Sequence, residues 1–327
     1  MAVQTTAAIE RPRLTGRAAE RLDLFESPTV LGASRQLALA ADLLACLAEE
    51  HEGDRESLAR RLRQVAGYLA ARRGASSQAV PNALAQMLHG LTGMQYLPPD
   101  EFREWVIAQI RDYDQTAQRG MAMIAAAGTA LAARATRVLV YDYSSSVAGI
   151  LRALGEREHP PTVVLPEART LEGGRRFVED LETSLLCCEL IPDAAIGSVV
   201  EACDLALIGA ETVSAEGGCY NTTGSLLVAF ACDYWRVPLY VASTLIKIDT
   251  RTLRGYRRPI PMLDGHHLDR LTSGLPSRSD DRLRVVSPDL DYVPPALLTG
   301  FITEAGVLPP AAIVTHAIRF AETQQDD

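Results

Sequence analysis

Lysine is almost absent from this 327-residue chain: of 32 basic residues, Lys247 is the only lysine and the rest are arginine. So lopsided a ratio reflects genome base composition of the GC-rich bacterial kind, and a lysine that survives it stands out for its chemistry. Basic residues are also too few to balance 41 acids, leaving a net charge of −9 with no clustered basic stripe. That excludes nucleic-acid binding through phosphates. No apolar run is long enough for a membrane. The longest, Met121 to Ala133, is interrupted by Gly128 and Thr129 and falls well short of the roughly 20 residues a span needs. The start, MAVQTTAAIERPRL, holds no apolar signal core, so a cytoplasmic protein is expected. CxxC spacing is missing, and no His stands at metal-ligand spacing; His266 and His267 are adjacent in a polar segment. The six cysteines are therefore expected to be reduced, with Cys187, Cys188 and Cys203 acting as small hydrophobes, and no metal is expected. Neither GxGxxG nor GxxxxGK[ST] occurs, so the standard dinucleotide and P-loop sites are excluded, and no cofactor is expected.

Apolar residues make up 47% of the chain and charged ones 22%, enough for one large or two ordinary globular domains. The first 130 residues read as helix. Leu58, Leu62, Val65 and Leu69 share one helical face, and so do Phe102, Trp105, Val106, Ile110 and Tyr113 after Leu97-Pro98-Pro99-Asp100. Residues 30–48 form another Leu/Ala-rich helix. From residue 137 short β-type runs appear: VLVY (138–141), TVVL (162–165), a weaker CCELI (187–191), LALIG (205–209) and PLYVA (238–242). Helical segments separate them, which predicts βαβ units and a parallel sheet. The expected architecture is α/β: a helical N-terminal domain over 1–134, with about the first 20 residues disordered, and a Rossmann-like parallel-sheet domain over 135–327. Residues 250–284 read as a long surface excursion.

Ligands of such sheets bind outside the carboxyl ends of the strands, and the loops there hold a suggestive polar set. Asp142-Tyr-Ser-Ser-Ser146 follows the first strand. Glu167-Ala-Arg169-Thr-Leu-Glu172-Gly173-Gly174-Arg175-Arg176 combines a glycine-rich helix start with arginines, a layout that suits an anion. Asp193 lies in the third loop. The fourth carries Glu211 and a glycine-bordered Asn221 before Gly224, the arrangement of a general acid/base beside a substrate-holding amide. The fifth presents Lys247.

These residues also carry a resemblance. The run from Ile191-Pro-Asp193 through Asp204-Leu-Ala-Leu-Ile-Gly-Ala-Glu211 to Gly217-Gly218 and Asn221-x-x-Gly224 is similar to the central signature of one family. Its members are methylthioribose-1-phosphate isomerase, ribose-1,5-bisphosphate isomerase and the alpha, beta and delta subunits of eukaryotic initiation factor 2B. Pro238-to-Ala242 with Lys247, Asp291-Tyr-Val-Pro294-Pro295, Ile302-Thr-Glu304-x-Gly306-Val307, Val80-Pro81-Asn82 and Leu31-Gly32-Ala33 extend it over roughly residues 28–320. The resemblance implies a helical N-terminal domain, a Rossmann-like C-terminal domain, a homodimer and a sugar or sugar-phosphate ligand. It retains Arg169, Gly173, Arg175, Asp193 and Asn221 as binding positions. Departures are equally specific: Asp142 and Glu211 stand where the isomerases use Cys and Asp, and Gly-Ala-Glu resembles the initiation-factor alpha subunit. Leu31, Gly74, Glu172 and Thr222 replace phosphate-gripping residues, a task open to Arg72, Arg73, Arg175 or Arg176.

Two functions follow as expectations. One is aldose–ketose isomerisation with Glu211 as acid/base and Asp142 as its partner, their surroundings separating their pKa values. Desolvation at the strand end is expected to favour a protonated Glu211. The substrate would be held by Arg169, Gly173, Arg175, Asp193, Asn221, Gly224 and Lys247. The other is a non-catalytic regulatory subunit or sensor that binds a sugar phosphate or nucleotide.

Overall fold

The computed structural model describes residues 10–27, 33–73, 77–94, 96–260, 262–263 and 286–323. The motif positions Leu31, Gly32 and Gly74, the pair His266–His267 and residues 1–9 of the expected disordered start lie outside them, whereas residues 16–20 of that start are helical, contrary to the expectation. The chain divides into two compact units, Met1–Arg119 with Ala321–Asp327, and Gly120–Phe320.

The first unit is helical, with α1 (Gly16–Glu26), α2 (Ala33–Glu49), α3 (Arg55–Arg73), α4 (Ala79–Met87) and the greater part of α5 (Pro99–Leu131). The apolar face expected of α3 is buried throughout: Leu58, Leu62, Val65 and Leu69 join Leu22, Phe25, Leu43, Leu44 and Met87 inside. Phe102, Val106 and Ile110 are buried on α5, while Trp105 and Tyr113 are half-buried. Among the described residues no helix is long and apolar enough to cross a membrane.

The second unit starts upstream of residue 135, because the end of α5 packs on the sheet: Ile124 and Ala132 share a core with Val138 and Val140. It contains β1 (Arg137–Tyr141), α6 (Ser145–Gly155), β2 (Thr162–Pro166), α7 (Gly173–Asp180), β3 (Cys187–Ile191), α8 (Ile196–Val199), β4 (Leu205–Ile208), β5 (Thr212–Ser214), β6 (Cys219–Thr222), α9 (Ser225–Trp235), β7 (Leu239–Ala242), β8 (Ile248–Asp249), β9 (Met262–Leu263), β10 (Ser287–Pro288), β11 (Leu290–Val293), β12 (Gly300–Thr303), β13 (Gly306–Leu308) and α10 (Ile313–Thr323). Seven strands form the main sheet in the order β13-β12-β7-β4-β1-β2-β3. All neighbours are parallel except β12 and β13. The inner strands β1, β2 and β4 read as continuous apolar runs because both faces are covered. Along β1, Val138 and Val140 enter one core, while Leu139 and Tyr141 enter the core on the opposite face.

The strand order fixes where a ligand can bind. The chain moves outward from β1 to β2 and β3, then returns past β1 to β4, β7 and β12. Order therefore reverses between β1 and β4, where the two connections leave in opposite directions and open a crevice. A second sheet, β11-β6-β5-β8, stands just after β4 and lifts residues 211–222 above that edge.

Three expectations need correction. The stretch 210–224, expected as a single loop, folds into the β5–β6 hairpin, with Val213 opposite Cys219. The described start of the 250–284 excursion is not wholly at the surface, since Arg258 is 6% exposed. Cys187 is exposed rather than packed as a hydrophobe, because β3 is an edge strand; Cys46, Cys203, Cys219 and Cys232 are buried. Burial pushes the Cys219 and Cys232 thiols up to about 12, which leaves them unreactive.

Candidate functional site

Asp142 is the first residue after β1 and adopts a left-handed backbone, with φ at 58°. That turn tucks its side chain under the start of α7. A Cβ on Gly173 would lie 2.0 Å from Asp142 Oδ1, and one on Gly174 would lie 2.2 Å from the Pro166 carbonyl oxygen. The two glycines thus let the helix N-terminus close over the carboxylate. Thr222 on β6 donates its hydroxyl to Asp142 Oδ2. Enclosure pushes the Asp142 carboxyl up to about 6, against the opposing pull of the Thr222 hydroxyl, the Tyr143 N–H and Arg176; the charge of Glu211 adds to the rise.

Glu211 stands across the crevice, beyond β4. Its N–H donates to the Tyr220 carbonyl at 2.8 Å, and the residue is half-buried. Lys247 lies beneath it, with Nζ donating to the Ala210 carbonyl at 2.6 Å. Burial pulls the Lys247 ammonium below its ordinary value and Glu211 opposes that pull. Glu304, at the end of β12, accepts the Leu245 N–H at 3.0 Å and so fixes the turn that delivers Lys247. Burial pushes the Glu304 carboxyl upward. The carboxyl enclosed by the fold is therefore Asp142, where sequence reasoning expected the shielded group at Glu211. The left-handed turn buries Asp142, whereas Glu211 projects past the strand end.

Asn221 is buried beside Thr222 and donates from Nδ2 to Ser225 Oγ at 2.9 Å. Gly224 has φ at 106°, and a Cβ there would lie 1.8 Å from the Tyr141 hydroxyl. Its N–H and that of Leu226 donate to Asp291 Oδ2 at 2.7 and 3.1 Å, which caps α9. The Asp193 carboxylate accepts the N–H groups of Ala168 and Arg169 at 2.9 and 3.0 Å and shapes the β2–α7 loop. The Arg169 side chain is exposed and approaches Glu167 at 3.7 Å. Arg175 is exposed on α7, and Arg176 lies 4.3 Å over the Tyr143 ring. The structure thus gathers Asp142, Gly173, Thr222 and Asn221 on one wall, and Glu211 with Lys247 on the other. Asp193 holds the Arg169 backbone in the loop after β2, and Arg175 is exposed on α7.

Sequence reasoning names Thr222 only as the replacement of a phosphate-gripping residue and Glu304 only as part of a motif, and selects neither for the site. Among the described residues no group of three or more His, Cys, Asp or Glu side chains is arranged to hold a metal ion.

Residues 30–310 match the model of the initiation factor 2 subunit family. The chain belongs to this family. Among its relatives, the translation initiation factor eIF2B subunit alpha of Dictyostelium discoideum is 28% identical over 186 residues, covering 56% of this chain and 58% of that protein. Ribose 1,5-bisphosphate isomerase of Haloterrigena turkmenica is 26% identical over 300 residues, or 90% of each chain. Methylthioribose-1-phosphate isomerase of Desulforudis audaxviator is 29% identical over 88% of this chain and 85% of its own. The fold matches the Pyrococcus horikoshii translation initiation factor eIF-2B with a TM-score of 0.73 at 21% identity, over 92% of this chain and all of that one. It also matches the 5-methylthioribose 1-phosphate isomerase of the same organism at 0.72 and 21% identity, over 93% of this chain and 87% of that one. The helical N-terminal region and Rossmann-like sheet are thus family features. The family joins proteins named as isomerases to proteins named as initiation-factor subunits.

The state of Asp142 is open to measurement. Its folded value of about 6 lies above the ordinary 3.8, so the neutral carboxyl is favoured by the fold. Stability from this group is complete below about pH 4 and is lost as pH rises through 6. Asp142→Asn keeps the size, the left-handed turn and an acceptor for Thr222. In urea titrations it should equal the wild type at pH 4 and exceed it at pH 8 by up to about 3 kcal/mol. A variant less stable than the wild type at pH 8 would mean that the fold favours the charged carboxylate.

Proposed function

We propose that this protein binds a ribose-type sugar or sugar phosphate in the crevice between β1 and β4 and interconverts its aldose and ketose forms. The observation that carries this reading is a pair of carboxylates in unlike surroundings at the point of strand reversal. Asp142 is enclosed, with its carboxyl up to about 6; Glu211 is half-buried and accompanied by Lys247. Aldose–ketose conversion needs one group to supply a proton to oxygen and another to carry a proton between C2 and C1, and unlike surroundings let two carboxyls divide these tasks. Asp142 donates to the ring or carbonyl oxygen, since an acid with a value near 6 keeps a usable protonated fraction at neutral pH. Glu211 takes the proton from C2 and returns it at C1, while the Asp142 carboxylate recovers the proton that the C2 hydroxyl loses as that oxygen becomes the ketone. Lys247 faces the negative charge that develops on oxygen between the two steps. Asn221 and the glycine-rich start of α7 hold the ligand. No cofactor enters this scheme.

A second reading, a ligand-binding regulatory subunit without turnover, rests on the replacement of the isomerase Cys and Asp by Asp142 and Glu211. Similarity to a protein named as an initiation-factor alpha subunit supports it. Glu211→Gln separates the two. If the protein is an isomerase, turnover of its pentose phosphate falls by about two to four orders of magnitude while binding persists. Unchanged turnover removes Glu211 from the chemistry, and a wild type that binds without converting its ligand establishes the regulatory reading.

We also propose that the protein is a homodimer. Leu227, Phe230 and Tyr234 present an exposed apolar stripe along α9, more than a helix facing water needs. A relative of similar fold is described as a tetrameric complex. Light scattering should give about twice the 35.4 kDa of one chain; a monomer mass across dilution contradicts this.

A further inference from the structure

Ser225 opens α9 and is fully enclosed, and neither reading above employs it. Its hydroxyl has one proton, which goes to the Thr222 carbonyl at 2.7 Å. The oxygen is therefore left as an acceptor, and the donor it meets is Asn221 Nδ2 at 2.9 Å. The two ends of an amide are alike in shape, so the hydrogen bonds around it decide which way it faces. Were the Asn221 amide turned over, Oδ1 would face an oxygen with no proton left to give. Releasing that proton to Oδ1 would break the bond to the Thr222 carbonyl inside the fold. Ser225 thus holds the amide nitrogen toward α9 and turns the amide carbonyl away.

That carbonyl lies where the ends of β1 and β4 meet. A Cβ on Gly209, the residue after β4, would lie 3.8 Å from Asn221 Oδ1 and 2.6 Å from the Cβ of Ser144, in the loop after β1. Among the described residues nothing donates to Oδ1, and it is not among the polar atoms sealed in without a partner. The frame around it is fixed from a second side. Asp291 stands opposite Asn221 across β6 and β11, and its Oδ2 accepts the N–H groups of Gly224 and Leu226, which flank Ser225. One neighbour thus holds both the strand residue and the helix start. A carbonyl oxygen accepts and cannot donate, so it pairs with a hydroxyl and repels a phosphate oxygen.

We infer that Ser225 is a positioning residue that holds Asn221 with its amide carbonyl toward the crevice, so that this side chain accepts a donor hydroxyl of the ligand instead of gripping a phosphate oxygen. The hydroxyl assignment rests on the reading of the crevice as a sugar site; the orientation does not. Two measurements on the full chain keep them apart, each made on the wild type, Ser225→Ala and Ser225→Cys, whose thiol is a weaker acceptor. The first needs no ligand: proton exchange of the Asn221 side-chain amide, followed by NMR. The second is calorimetric titration with ribose 5-phosphate and with its 2-deoxy and 3-deoxy analogues.

The bonded Nδ2 proton should exchange about tenfold more slowly in the wild type than in Ser225→Ala, with Ser225→Cys between them. Equal exchange in the wild type and Ser225→Ala overturns the orientation. One deoxy analogue should bind the wild type about fivefold more weakly than ribose 5-phosphate, the loss of one hydrogen bond. Ser225→Ala should erase that difference and leave the affinity for this analogue within about twofold, since the analogue has no such bond to lose. A difference that survives in Ser225→Ala overturns the inference. So does an equal loss for all three ligands, which marks a phosphate grip or a merely structural role. If Ser225→Ala does not fold by circular dichroism, Ser225→Cys decides, and full retention of slow exchange and of the hydroxyl preference there overturns the inference. A wild type that binds ribose 5-phosphate and both analogues equally refutes the hydroxyl assignment and leaves the crevice reading intact. A wild type that binds none of them refutes that reading and the hydroxyl assignment together, and exchange alone then decides the orientation.

Discussion

The enclosure of the Asp142 carboxylate is the constraint on which the rest of the site depends. It requires the left-handed turn after β1, glycines at 173 and 174 so that α7 can close over it, and a hydroxyl from Thr222 on the same wall. Each requirement ties a different segment to the end of β1. The Tyr141 hydroxyl adds a further tie through the Thr223 carbonyl at 2.8 Å, and this contact leaves no room for a side chain at Gly224. The α6, α7 and α9 starts are thus set by the same few ångströms of packing, and a change at any one is felt by the carboxylate.

The opposite wall is built by a different device. Glu211 is not sealed in; it is placed by the hairpin that carries it, with Lys247 held at the carbonyl of the residue before it. Lys247 arrives on a turn fixed by Glu304. The two acids of the crevice thus stand in unlike surroundings, Asp142 enclosed and Glu211 half-buried. Fold alone does not decide chemistry in this family, whose relatives carry both enzyme and initiation-factor names; the two acids are where this chain states its own.

Much of the fold was legible because its inner strands are buried on both faces, while the edge strand β3 is not and reads more weakly. The runs VLVY, TVVL, CCELI, LALIG and PLYVA correspond to β1, β2, β3, β4 and β7, and the helical spacing of Leu58 to Leu69 marks the α3 core face. β12 and β13 escaped because GFIT opens on glycine in a proline-rich region. β5 and β6 escaped because three or four residues with polar members carry too little periodicity. Within the site, residues at strand ends could be read from position alone: Asp142, Glu211 and Lys247 follow β1, β4 and β7. The burial of Asp142 could not be read, since it arises from a turn conformation and from glycines at 173 and 174, far along the chain. Arg258 was illegible for a related reason, because only the tertiary fold turns an arginine-rich loop inward.

The most direct test of this account is a crystal structure of the protein with a bound pentose phosphate. The account places the sugar between the C-terminal ends of β1 and β4, with Asp142 and Glu211 within hydrogen-bond distance of its C1–C2 end. A sugar bound elsewhere on the chain, leaving both carboxylates without contact, would contradict it.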